Sequence, residues 1–68
     1  MEKIISIEGM SCEHCVKAVT NALKEVDGVE DVSVSLEAKN AVVKGENLDD
    51  NKLKGAVEEA GYDVVSIN

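Results

Sequence analysis

The sequence predicts an α+β fold in two layers, an antiparallel four-stranded sheet with two helices on one face. Three observations predict it. Apolar residues alternate in four short stretches and recur at helical spacing in two others. These stretches follow the order strand–helix–strand–strand–helix–strand. Glycine and acidic residues stand at the joints, and the 68 residues contain no proline to interrupt an element.

The elements are justified in turn. "KIISIE" (3–8) alternates as a first strand, with Ile5 and Ile7 on one face and Ser6 on the other. Gly9 opens the loop "GMSCEHC" (9–15). From about Glu13 the period turns helical: Val16, Val19, Leu23 and Val26 fall on one side, and Lys17, Asn21, Lys24 and Glu25 on the other. "VDGVE" stops this helix, with Gly28 suited to a left-handed cap. "VEDVSVSLE" (29–37) is a second strand with Val32, Val34 and Leu36 inward and Ser33 and Ser35 outward. "EAKN" (37–40) reads as a hairpin turn and "NAVVKGE" (40–46) as the returning strand. Leu48, Leu53, Val57 and Ala60 carry a second helix, with Asp49 or Asp50 near its N-terminus and Gly61 at its end. "YDVVSIN" (62–68) is the last strand, with Val65 and Ile67 inward. This order is that of the ferredoxin-like βαββαβ sandwich, filling residues 1–68 as one domain. The topology hosts many functions, so function has to be read from a site.

Composition narrows the field. Fourteen Asp and Glu stand against seven Lys and Arg, for a net charge of −7. Phosphate neutralisation needs a basic surface, so nucleic acid is not an expected partner, and neither is an anionic membrane. With one tyrosine and no Phe or Trp, no platform for stacking bases exists. The opening "MEKIISIEGM" lacks the apolar length and small-residue cleavage site of a signal peptide. Two cysteines three positions apart do not make a secreted disulfide framework. The cytoplasm is the expected location.

Cys12 and Cys15 are the only cysteines, and His14 between them is the only histidine. Cys12 falls on the loop and Cys15 in or beside the first helical turn. Unpaired amides and partial positive charge there favour thiolate over thiol. Four chemistries compete for such a pair. Structural zinc wants four ligands, and the chain offers two cysteines and a histidine poorly placed to join them. Thiol–disulfide exchange is open to any C-x-x-C, but Glu-His lies between the cysteines and no proline is present to flank them. A soft ion such as Cu(I) suits two thiolates and leaves room for an incoming ligand. A coincidental pair packed in the core is disfavoured by the Gly, Ser, Glu and His around it. The C-x-x-C spacing alone leaves the metal and redox readings about level.

The residues around the pair add a resemblance. "GMSCEHC" followed by "VKAV" resembles the G-M-x-C-x-x-C-x-x-x-V signature of heavy-metal-associated domains. The likeness spans the chain, taking in Gly28-Val29 at the second strand and "AGYD" (60–63) after the second helix. It is greatest to the stand-alone bacterial copper chaperones of that family. The resemblance implies Cys12 and Cys15 as Cu(I) ligands, Met10 as a buried packing residue, Gly9 as the loop glycine and Tyr62 as a tyrosine near the metal. Tyr62 reads equally as a plain packing residue. Ser11, where zinc and cadmium members tend to carry Asp, points to copper.

The implied function is a cytoplasmic copper chaperone, not an enzyme. It would deliver Cu(I) to the metal-binding domain of a copper-transporting P-type ATPase or to a copper-responsive regulator. A copper-dependent homodimer is a further expectation. A metal-binding module of a heavy-metal ATPase is the alternative within the family, and a small thiol–disulfide oxidoreductase the alternative outside it. A chain running from Met1 to just past the last strand, without a linker, favours the free chaperone. His14 reads first as a solvated loop residue, with modulation of the thiols or ligation between two chains as its functional readings.

Overall fold

A computed structural model describes residues 1–68 and carries the six elements in the predicted order. They are β1 (Glu2–Glu8), α1 (Glu13–Lys24), β2 (Val29–Ser35), β3 (Asn40–Gly45), α2 (Asp50–Glu59) and β4 (Asp63–Ile67). The sheet order is β2-β3-β1-β4, with every neighbouring pair antiparallel. This is the ferredoxin-like sandwich. Period-two alternation sends Ile5 and Ile7 of β1 and Ala41 and Val43 of β3 to one face, where all four are buried. Val19 and Leu23 of α1 and Leu53 and Val57 of α2 close over them, and Met10 and Leu48 complete the cluster from the connections.

Four details depart from the expectations. Leu48 does not belong to the second helix. It stands just before the N-cap Asp49, whose carboxylate accepts the Asn51 N–H at 2.8 Å. Leu48 and Leu53 then occupy the two ends of a hydrophobic staple, and both are buried. Leu36 is not in a strand: the turn begins at that residue and runs to Lys39, which takes φ 57. The core-facing row of α1 is Cys15, Val19, Leu23 and Val26, while Val16 stays outside the cluster.

The fourth departure is Val65, expected inward but 60% exposed. In the β1–β4 ladder Ser6 pairs with Ser66 and Ile7 with Val64, so Val65 is the extra residue of a bulge. The bulge shifts the alternation and puts Val64, with Ile67, against the core. Val65→Thr is therefore expected to change stability by less than about 0.5 kcal/mol. Val64→Thr should cost about 1 kcal/mol or more by half-burying a hydroxyl. Urea unfolding of both variants checks the register, and equal costs would contradict it.

At the far end of the sheet from the 9–15 loop, two backbones touch through glycine. Gly28, at φ +89, accepts the Glu46 N–H at 3.0 Å. A Cβ on Gly28 would stand 2.2 Å from the Glu46 carbonyl oxygen, and one on Gly45 would stand 2.0 Å from that of Gly28.

Candidate metal-binding site

The loop from Gly9 to Cys12 links β1 to α1 and presents both cysteines at the start of the helix. Gly9 takes φ +97, a conformation that side chains with a Cβ rarely adopt. Met10 follows and is buried, which anchors the loop to the core as a packing residue. The chain then turns outward: Ser11, Cys12, Glu13 and His14 are exposed and Cys15 is half-buried.

Cys12 is the N-cap of α1 and Cys15 the third residue of the helix. Ser, Thr, Asp or Asn is strongly preferred at an N-cap, because its side chain accepts an orphan amide. Here the cap position is a cysteine that makes no such bond. The chain forgoes a good helix cap to place sulfur there, a local compromise of the kind found at functional sites. The two sulfurs lie 3.5 Å apart, and Ser11 Oγ lies 4.0 Å from Cys15 Sγ.

The surroundings favour the thiolate. The Cys15 thiol is lowered from an ordinary 9.0 to about 6, first by the Ser11 backbone amide. The Tyr62 hydroxyl comes next, then the amide and side chain of Cys12, with partial burial opposing. The third residue of a helix commonly reaches back to the cap amide when it is Glu, and Cys15 uses the same path. Tyr62 is raised in turn, since its hydroxyl would lose a hydrogen bond to Cys15 and face a second anion on ionising.

A pH dependence follows. The thiolate is the nucleophile, so alkylation of Cys15 should rise with pH and reach half its maximum near about 6. Tyr62→Phe removes a donor to the thiolate and should move that midpoint upward. Residue-resolved mass spectrometry of iodoacetamide labelling checks both. A wild-type midpoint near the ordinary value would contradict the geometry.

The structure thus brings Cys12, Cys15 and Tyr62 together and leaves His14 exposed on the helix. No three of His, Cys, Asp and Glu gather anywhere in the chain in a way that could hold a metal ion. Tyr62 fills both expected roles, packing against the core and turning its hydroxyl to Cys15. Sequence reasoning missed the Ser11 amide, because a backbone donor leaves no mark in residue identity.

Comparison with known proteins gives a consistent picture. The model of the heavy-metal-associated domain matches residues 4–63. A copper chaperone CopZ of Staphylococcus saprophyticus is 51% identical over 65 residues, covering 88% of this chain and 91% of the relative. Among solved structures, a CopZ metallochaperone aligns with TM-score 0.91 and 40% identity, covering 96% of this chain and all of the other. A copper-binding domain of a P-type ATPase aligns with TM-score 0.88 and 29% identity over all of this chain and 99% of the other.

Proposed function

This chain belongs to the heavy-metal-associated domain family, and from that premise we propose that residues 1–68 act as a cytoplasmic copper chaperone. Cu(I) rides on Cys12 and Cys15 and leaves by ligand exchange. The receiver is the metal-binding domain of a copper-transporting P-type ATPase or a copper-responsive regulator. The protein works by binding and release and is not an enzyme.

One observation carries the reading: two sulfurs 3.5 Å apart at an uncapped helix N-terminus, with no third ligand nearby. Soft thiolates select Cu(I) among the available ions. A closed zinc site would need about four ligands, twice what the loop supplies. With two protein ligands on an exposed loop, the ion stays open to a thiolate of the receiver. The depressed Cys15 thiol keeps one ligand ionised at neutral pH. Likeness to copper chaperones over nearly their full length supports the same reading. Two such sites facing each other could share copper, so loading should also promote a homodimer.

The likeness to a P-type ATPase domain favours a second reading, in which the same site serves as the metal-binding module of a pump. The site chemistry is common to both, and only the covalent context differs.

The test is an anaerobic titration of the reduced protein with Cu(I) against a strong Cu(I) chelator, with Zn(II) in parallel. Retention of Cu(I) in competition, with Zn(II) lost to a comparable chelator, is the expected result. Stronger retention of Zn(II), or no competition for Cu(I), would overturn the proposal. Turnover of a disulfide substrate by the reduced protein would instead favour the oxidoreductase.

A further inference from the structure

A groove of about 1050 Å³ runs between α1 and α2, open to solvent, and none of residues 9–15 lines it. Its floor is made of small side chains, Ala18 and Ala22 from α1 and Ala56 and Ala60 from the α2 side. From Ala18 to Val26 it extends roughly 12 Å at the helical rise, about two turns of another helix.

Gly55 is the residue that the fold does not explain. It sits inside α2, where glycine weakens a helix relative to alanine. Its φ is not positive, and a Cβ added there would meet nothing within 4 Å. Packing within this chain therefore does not demand glycine. What glycine does is keep the groove floor low, so that another backbone can approach.

The rim indicates what approaches. Glu25, Asp27, Glu58 and Glu59 line the groove, with Lys52 as its only cation. Neither ion pair of the chain, Lys3–Asp50 or Lys44–Glu2, uses any of these residues. The carboxylates repel one another without an internal partner, and a cationic occupant relieves that repulsion.

We infer that the α1–α2 groove is a docking site for a lysine- or arginine-bearing helix of the protein that receives the ion. This rests on the carrier reading above for the identity of the partner. The surface is separate from the thiol loop, so docking does not require copper.

The experiment uses the reduced, metal-free, ¹⁵N-labelled full chain. The probe is an alanine-rich helical peptide with one lysine per turn, and the control is the same peptide with glutamate for lysine. Amide shifts should cluster at Ala18, Ala22, Gly55, Ala56 and Ala60 with the lysine peptide, weaken with added salt, and be absent with the control. Gly55→Leu fills the groove without entering the core and should weaken binding about tenfold or more. Glu58→Gln with Glu59→Gln should weaken it in the same direction. Both variants should keep wild-type thermal unfolding and Cu(I) retention. Shifts spread over the whole surface, shifts centred on residues 9–15, or unchanged binding by Gly55→Leu would overturn the inference. The two readings fail separately. A wild type that holds Cu(I) but shows no groove shifts removes the docking site alone. Groove shifts in a protein that fails to hold Cu(I) remove the carrier reading alone.

Discussion

Cys12→Ser and Cys15→Ser are each expected to abolish retention of Cu(I) against a competing chelator. The loss should exceed the roughly 100-fold that removal of an outer-shell partner costs, because half of the ligand set disappears. Serine oxygen is a hard donor, neutral at pH 7, and does not replace thiolate for a soft monovalent ion. The two variants should differ in stability, which separates loss of a ligand from loss of fold. Cys12 is the N-cap of α1 and makes no capping bond. Serine is among the best N-caps, so Cys12→Ser should raise stability by about 0.5–1 kcal/mol while losing copper. Cys15 packs against the core, so Cys15→Ser should lower stability modestly. Chelator competition together with urea unfolding checks both halves. If either variant holds copper as the wild type does, the dithiolate assignment is wrong. If Cys12→Ser is less stable than wild type, the reading of the uncapped helix is wrong.

Gly45→Ala should be the most damaging small substitution away from the site. The added Cβ would lie 2.0 Å from the Gly28 carbonyl oxygen, 2.9 Å from its carbon and 3.0 Å from Val29 Cα. All three are backbone atoms, so no side chain can swing aside. The β2–β3 ladder has to open where Gly45 pairs with Val29. Overpacking of this kind costs about 1–3 kcal/mol, and the upper end applies when the contact is rigid. A domain of this size has roughly 3–5 kcal/mol to lose. The expected result is a large fall in melting temperature and a substantial unfolded fraction at 37 °C. Cu(I) binds the native state preferentially under the proposed function, so saturating copper should restore part of the loss. Thermal unfolding by circular dichroism, with and without copper, checks this. A Gly45→Ala protein as stable as wild type would refute the close approach.

Much of the molecule is legible from local pattern. Ile5 and Ile7, Val19 and Leu23, Val32 and Val34, and Leu53 and Val57 show their inward faces through spacing alone, because a buried face repeats with the element that carries it. The thiol pair is equally plain, since Gly9, Met10, Cys12 and Cys15 are contiguous and their chemistry follows from residue type. The readings that failed share one cause. Leu48, Leu36 and Val65 lie where an element ends or a ladder slips, and there the neighbour decides. Val65 has the right identity for an inward position in an alternating strand. It points outward because β4 must pair with β1, and that pairing places an extra residue between Val64 and Ser66.

The sequence by itself determined the order of six elements, the layer that each apolar face serves and the position of two thiols at a helix start. These depend on residues within a few places of one another, and short-range periodicity encodes them. The tertiary structure alone decided what surrounds those thiols. It brought Tyr62 from beyond the second helix to Cys15, turned the Ser11 amide to the same sulfur, and left His14 outside. It also opened the acid-rimmed groove between α1 and α2. Such features depend on where distant segments come to rest on one core, and no local pattern of residues carries that information.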